Sequence, residues 1–294
     1  MKLGIIGGSG LNELLGMTET REEFPETPYG RPSAPLQTGK YGGCELIFLS
    51  RHGKGHTIQP HEINYKANIA AMKMLGVTHI LSISAVGSLR KKIRPRDVVI
   101  VDQYFDRSKQ PPQDQTFFGD GIVGHITFAD PVCPELSTLA ADALEKAIKD
   151  SDDPRRRVFR SGTYVNMAGP AFSTRAESRF YRAMGFSVIG MTNLTEAKLA
   201  REAEICYATA AFVTDFDCWH ESKEPVTLEM ILGHMAANKD LSCKLVQIAA
   251  QEFSKLPRKC ACPHAMASAV VTDPACIPPE TREKCSLIFG KYLK

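Results

Sequence analysis

Two carboxylates one residue apart, Asp215 and Asp217 in Val213-Thr214-Asp215-Phe216-Asp217-Cys218-Trp219, close the apolar run Cys206–Val213. The run predicts a buried strand, and alternation along it puts both carboxylates on one face at its end. Like charges leaving a buried strand together push at least one pKa upward unless a partner intervenes. That chemistry suits a site that both accepts and donates protons. A solvated strand-end turn would show the same pattern, so the pair must be weighed with the rest of the chain.

A second chemistry, anion binding, recurs at other strand ends. Ser50-Arg51-His52-Gly53-Lys54-Gly55-His56 carries a guanidinium, two imidazoles and an ammonium on a loop with two glycines. An arginine fork matches phosphate oxygens bidentately. The spacing of His52 and His56 could also serve a metal, but Gly53 and Gly55 oppose the helix that would bring them onto one face, and anion binding is favoured. Gly7-Gly8-Ser9-Gly10 allows close backbone approach and offers the Ser9 hydroxyl. It lacks the glycine at position 13 that a dinucleotide fingerprint needs, having Glu13 instead, and reads equally as a tight turn. Ser84-Ala85-Val86-Gly87-Ser88 and Gly190-Met191-Thr192-Asn193 each add a hydroxyl and free backbone N–H groups.

Short Val- and Ile-rich runs at 3–6, 46–50, 79–84, 97–101, 158–165, 187–190 and 206–214 predict strands. Helical patterns at 64–75, 134–149, 174–184, 195–203 and 227–253 fall between or after them. This alternation predicts an α/β fold with a mostly parallel sheet covered by helices on both faces. Ligands of such sheets bind at the carboxyl ends of strands, where every group above lies. No linker or repeat divides residues 1–294, which predicts a single domain. The segment 105–131 is an irregular excursion of a length often used for lids or subunit contacts, and about 256–294 forms a tail whose packing the pattern does not define.

With 36 Lys+Arg against 33 Asp+Glu, the formal net charge is +3, and no basic stripe with interleaved aromatics marks a nucleic-acid surface. No apolar run reaches the roughly 18 residues of a membrane span, and no signal-peptide pattern opens the chain; a cytoplasmic enzyme is the expectation. The nine cysteines are scattered, unlike a compact disulfide framework. Cys260-Ala-Cys262-Pro-His264 could be a redox pair or two ligands of a metal, but no second ligand pair at zinc spacing is visible, and no metal site is expected.

Taken together, these residues resemble a known family. Gly4–Leu11, Arg51-His52-Gly53, Asn64–Ile69, Gly169–Ser178, Gly190-Met191-Thr192, Glu196–Glu202 and Thr214–Trp219 match, in order, segments of the methylthioadenosine phosphorylase branch of the trimeric purine nucleoside phosphorylases. The resemblance implies a mixed, mostly parallel sheet in one domain and phosphate-dependent cleavage of S-methyl-5′-thioadenosine to adenine and 5-methylthioribose 1-phosphate, within purine and methionine salvage. It implies no metal or organic cofactor, phosphate being a co-substrate, and a homo-oligomer, a trimer or pair of trimers. Carried over by position, Ser9, Arg51, His52, Ser84, Ala85 and Thr192 would hold phosphate and Met191 would pack under the ribose. Phe172, Ser173, Asp215 and Asp217 would surround the base, with Asp215 protonating N7 and Asp217 reading the N6 amino group. His125 would reach the 5′ end of a neighbouring subunit's substrate, and Leu228 and Ile231 would line the methylthio pocket. Ala168 and Thr195 depart from the pattern of adenine-specific members. A 6-oxopurine or methylthioinosine phosphorylase is the alternative on this fold, which the Asp pair argues against. A non-catalytic nucleotide-binding protein is the alternative of another class, and the retention of Arg51, His52, Thr192 and Asp215 argues against that.

Overall fold

The computed structural model describes residues 1–8, 16–151, 153–220 and 228–293. Strands β1 (Lys2–Gly7), β2 (Thr18–Glu23), β3 (Leu36–Tyr41) and β4 (Cys44–Ser50) lead into helix α1 (Tyr65–Met74) and the long strand β5 (Val77–Ser88). β6 (Val98–Val101), β7 (Gln103–Arg107), α2 (Pro134–Lys149), β8 (Val158–Phe159) and β9 (Thr163–Met167) follow. The remainder comprises α3 (Arg175–Ala183), β10 (Val188–Gly190), α4 (Asn193–Glu202), β11 (Cys206–Asp215), α5 (Leu228–Phe253) and two short helices, α6 (Pro279–Lys284) and α7 (Ser286–Phe289).

All the described strands join one mixed sheet, ordered β2-β3-β4-β1-β5-β10-β9-β7, with a branch from β5 through β11 and β6 to β8. The fold is a single α/β domain, and helices cover both faces. Period-two alternation explains the layering. Leu3, Ile5, Leu46, Phe48 and Leu81 point into one core with α2 and α5. Ile6, Ile47, Leu49 and Ile80 point into another with α1, α4 and the C-terminal residues Met266, Ile277, Ile288, Phe289 and Leu293. The tail therefore packs as part of the second core.

β5 changes neighbours along its length. β1 pairs with it only up to Ser82, β10 joins antiparallel from Gly87, and β11 runs along its other edge from His79 to Gly87. Residues 83–86 therefore have one edge without a strand among the described residues, and Ala85 is exposed in the middle of a central strand. The sheet opens there, between the ends of β1 and β4 on one side and β10 on the other.

Three expectations need correction. Strands β2, β3 and β7 arise from polar segments with no apolar run, since β2 is exposed throughout. The 158–165 run splits into β8 and β9, which pair with different partners. Cys260 and Cys262 do meet a second pair: their sulfurs and those of Cys133 and Cys206 all lie within 4.8 Å of one another, brought together from the N-cap of α2 and the start of β11, while His264 is exposed and outside the group.

Candidate active site

The open stretch of β5 is where the anion-type residues converge. Parallel pairing of Gly7 with Ser50 and the Arg51 N–H bond to the Gly7 carbonyl (3.0 Å) hold the Arg51 loop beside the end of β1. Gly53 and Gly55 take positive φ (+74° and +76°), a conformation glycine adopts without strain. The chain folds back there so that the Thr57 and Ile58 N–H groups cap the His52 carbonyl.

Arg51 enters the molecule and is 3% exposed. Its Nε and Nη2 pair with the Glu196 carboxylate, Nη2 also donates to Ser82 Oγ (2.6 Å) and Nη1 to the Ile83 carbonyl (3.1 Å). Glu196, 1% exposed, further accepts from Ser82 Oγ and the Tyr207 hydroxyl, both at 2.8 Å. Asn193 donates to Ser82 Oγ (2.8 Å), which ties the start of α4 to the same network. The fork expected to hold phosphate oxygens is thus spent on Glu196. Of five N–H donors, four have partners among the described residues, and one Nη1 hydrogen has none among them. Asn193, Glu196, Ser82 and Tyr207 were missed in the sequence as participants, and only their proximity in three dimensions identifies them.

His52 donates from Nδ1 to the Ile58 carbonyl (2.9 Å), since a carbonyl can only accept. Burial, with the Arg51 charge beside it, lowers its pKa to about 4, so the ring is neutral near pH 7 and Nε2 is an acceptor. His56 stacks on it at 4.3 Å; the two imidazoles sit in a looped rather than helical backbone. Thr192 is the N-cap of α4 with no side-chain cap bond, so its buried hydroxyl stands at the positive end of a ten-residue helix. Ser84 is buried one residue from exposed Ala85.

The carboxylates lie beside Gly87, two or three residues farther along β5 than Ala85 and Ser84. β11 ends at Asp215, and Asp217 opens a 3-10 turn with φ +50°. The alternation expectation fails here: Asp217 is not on the strand. The Asp217 N–H donates to Asp215 Oδ1 (2.7 Å), a side-chain-to-backbone turn that short polar residues favour, and this turn brings the second carboxylate back beside the first. Both are nearly buried, at 9% and 8% exposed.

Burial raises the Asp215 pKa, opposed by its Thr214 and Asp217 hydrogen bonds. Burial likewise raises that of Asp217, with Ser178 opposing and the Asp215 charge adding to the rise. The Thr214 hydroxyl lies 2.7 Å from Asp215 Oδ2 and 3.2 Å from the Val86 carbonyl. Turned toward Val86, it presents a lone pair to a protonated Oδ2, so both protonation states of Asp215 are accommodated. Ser178 Oγ donates to Asp217 Oδ2 (2.5 Å) from an α3 held by a Thr174–Glu177 capping box. Gly87 makes room for the pair, because a Cβ there would sit 2.9 Å from Asp215 Oδ1 and 3.2 Å from Ile189 Cγ2.

Met191 precedes the Thr192 cap, and its Sδ would be 2.7 Å from a Cβ on Gly169, so the chain at Gly169 packs directly onto it. Ser173 accepts at its carbonyl from Cys218 Sγ (3.2 Å) and lies beside the Asp pair, whereas Phe172 stands 62% exposed. His125 is exposed on the 105–131 excursion, its N–H bonded to the Ala269 carbonyl (2.8 Å), and is not brought to the site by this chain. Ser9, and the side chains of Leu228 and Ile231, lie outside the described residues. His234, three residues past Ile231, is near enough to Asp215 for each to feel the other's charge; it was missed in the sequence, although a helical step from Ile231 could have pointed to it.

Arg51, Ser84 and Thr192 therefore gather along the open stretch of β5, and two buried carboxyl groups with raised pKa values stand at its end beside Gly87. Comparison with known proteins points the same way. A family model described as the phosphorylase superfamily matches residues 2–250. The S-methyl-5′-thioadenosine phosphorylase of Geobacter sulfurreducens is 48% identical over 99% of both chains, and that of Koribacter versatilis is 48% identical over 99% of this chain and 96% of its own. Among solved structures, a methylthioadenosine phosphorylase from an antarctic soil metagenomic library superposes with a TM-score of 0.91 at 42% identity, covering 98% of each chain. One from Schistosoma mansoni, in complex with adenine, gives 0.83 at 34% identity over 92% of this chain and 99% of that one.

Proposed function

The chain belongs to the phosphorylase superfamily, and we propose that it uses inorganic phosphate to cleave S-methyl-5′-thioadenosine, releasing adenine and 5-methylthioribose 1-phosphate. It is a pentosyltransferase. The observation that carries this reading is the placement of two buried carboxyl groups, their pKa values raised by burial, at the end of β11 beside the Arg51, Ser84 and Thr192 cluster on the open stretch of β5.

In this reaction the C1′–N9 bond breaks as a phosphate oxygen bonds to C1′. Positive charge develops on the sugar and negative charge on the purine. Phosphate lies in the cradle of Ser9, His52, Ser84, Ala85 and Thr192, and takes one hydrogen bond from the remaining Nη1 hydrogen of Arg51. Neutral His52 accepts from a phosphate hydroxyl through Nε2, which suits the protonated forms of phosphate present at neutral pH. Met191 packs against the ribose, and Leu228 and Ile231 line the methylthio pocket. Asp215, its pKa raised by burial, gives its proton to N7 as the purine leaves, a form of help typically worth about 10²–10⁴ in rate. Asp217, steadied at Oδ2 by Ser178, accepts from the N6 amino group. Phe172 and Ser173 border the base. A 6-oxopurine presents a carbonyl where adenine presents that amino group, and two carboxylates favour the donor.

These roles need no metal or organic cofactor at the crevice. Adenine and 5-methylthioribose 1-phosphate as products suit purine and methionine salvage, and a cytoplasmic location belongs to the same proposal. His125, which this chain leaves exposed, is consistent with a homotrimer in which it completes a neighbour's site. Methylthioadenosine, adenosine and inosine, each incubated with and without phosphate and resolved chromatographically, test the assignment. Phosphate-dependent adenine release, fastest from methylthioadenosine, is the expected result. Hypoxanthine as the dominant product, or equal release without phosphate, would overturn it.

A further inference from the structure

Far from the crevice, at the other end of β11, four thiols meet. Cys206 opens the strand, Cys133 is the N-cap of α2, and Cys260 and Cys262 lie in the segment after α5. Nine residues separate Cys206 from Asp215, roughly 30 Å at strand rise, so the cluster is distinct from the site that cleaves the nucleoside. All four sulfurs lie within 4.8 Å of one another, with Cys206 and Cys260 at 3.4 Å. These distances bracket the edge of about 3.8 Å expected for a tetrahedron of sulfurs around zinc at about 2.3 Å. Cys133, Cys206 and Cys262 are buried and Cys260 is half-buried, so the group is closed, as in structural sites.

We propose that Cys133, Cys206, Cys260 and Cys262 bind one Zn²⁺ as a structural tetrathiolate centre. Each thiol loses its proton to solvent as its Zn–S bond forms, with no change of oxidation state. The resulting excess of two negative charges lies at the N-terminus of the 16-residue α2, where the helix dipole favours an anion, and next in sequence to Arg258 and Lys259. The backbone is already arranged around the cluster. The Cys133 N–H bonds to the Tyr207 carbonyl (2.8 Å), docking α2 against β11, and the Lys259 N–H bonds to Glu135 Oε1 (3.0 Å), docking the tail segment against α2. The metal would add a fastening among three chain segments that these hydrogen bonds and core packing already bring together. Four convergent thiolates and no carboxylate among the described ligands select a soft ion over magnesium or calcium.

The test uses the full chain expressed in zinc-supplemented medium and purified under reducing conditions. Metal analysis should find one zinc per chain, and the four thiols should resist a thiol reagent until a chelator is added. Cobalt exchanged for zinc should give the thiolate charge-transfer and intense d–d bands of a tetrahedral sulfur site. The double variant Cys260→Ser/Cys262→Ser should fall to near-zero zinc. Because the cobalt spectrum is read on the unaltered chain, misfolding of the variant does not spare the proposal. Metal-free protein whose four thiols titrate freely, protein lighter by the four hydrogens of two disulfides, or zinc content unchanged in the double variant would each overturn it.

Discussion

Removing Glu196 should separate what holds Arg51 from what Arg51 does. The guanidinium is buried, and the carboxylate takes two of its four protein contacts while also accepting from Ser82 and Tyr207. In Glu196→Ala the positive charge keeps only the Ile83 carbonyl and Ser82 Oγ, and the Tyr207 hydroxyl loses its carboxylate partner. Stranding one member of a buried ion pair typically destabilises by about 3–5 kcal/mol. Unfolding entropy near 2.1 cal/mol/K per residue over 294 residues corresponds to about 0.6 kcal/mol/K, so Tm should fall by about 5–8 °C in calorimetry at neutral pH without phosphate. Glu196→Gln, which keeps the volume and one acceptor but not the charge, should fall between that value and the wild type. Phosphate should raise Tm more in Glu196→Ala than in the wild type, because an anion can then take the place of the missing carboxylate and binding to the folded state adds stability by mass action. A Glu196→Ala Tm within about 1 °C of wild type would refute the claim that this pair organises the cradle.

Asp215→Asn should lower adenine release by about 10²–10⁴ with little change in Tm; near-normal turnover would mean that another group protonates the purine. Gly87→Ala, which drives a methyl against Asp215 Oδ1, should lower kcat for methylthioadenosine at least tenfold, by roughly the 1.4 kcal/mol that a tenfold rate change represents, and an unchanged kcat would show that Asp215 has room to move. His52 should give the imidazole nitrogen shifts of a neutral ring protonated at Nδ1 from pH 5.5 to 8, and a transition near pH 6.5 in its NMR titration would contradict the burial argument. Glu202, buried beneath Thr116 and Phe117, has its pKa raised by burial to about 7. The folded chain therefore holds a proton that the unfolded chain has lost between about pH 4.5 and 7, and stability from this group, full at the acidic end, declines by about 3 kcal/mol as pH rises through that window. Urea midpoints at pH 5 and 8 should differ less in Glu202→Gln than in wild type, and equal differences would remove Glu202 as the cause.

Where apolar residues alternate or run together, the chain could be read directly. Ile5 and Ile6 face opposite cores because adjacent strand residues point opposite ways, and the main strands and helices follow from such runs. β2, written Thr-Glu-Thr-Arg-Glu-Glu, has no such signal because an exposed edge strand buries nothing. The positions of Arg51, Thr192 and the Asp pair, each at or just past a strand end, were also legible. Their geometry was not. That Arg51 turns inward to Glu196, 145 positions later, depends on how α4 docks under β5, and no local pattern encodes it. The return of Asp217 beside Asp215 depends on one hydrogen bond within a three-residue turn, which periodicity treats as a continuing strand. Cys133 and Cys206 lie too far from Cys260 for spacing to reveal the cluster.

One strand, β5, touches both halves of the crevice. Ser84 and Ala85 stand at the end where phosphate is proposed to bind and Gly87 at the carboxylate end, two or three residues apart at roughly 3.3 Å each. Because both ends belong to the same hydrogen-bonded rod, clamped by β11 on one side and by β1 and β10 at its extremities, they cannot drift independently. If the proposed roles hold, β5 acts as a gauge block, of a fixed length of about 7–10 Å, between the place for the attacking group and the place for the departing one. On that reading the sugar bridges the span, and a longer or shorter spacer would find one of its ends out of reach however well the other was held.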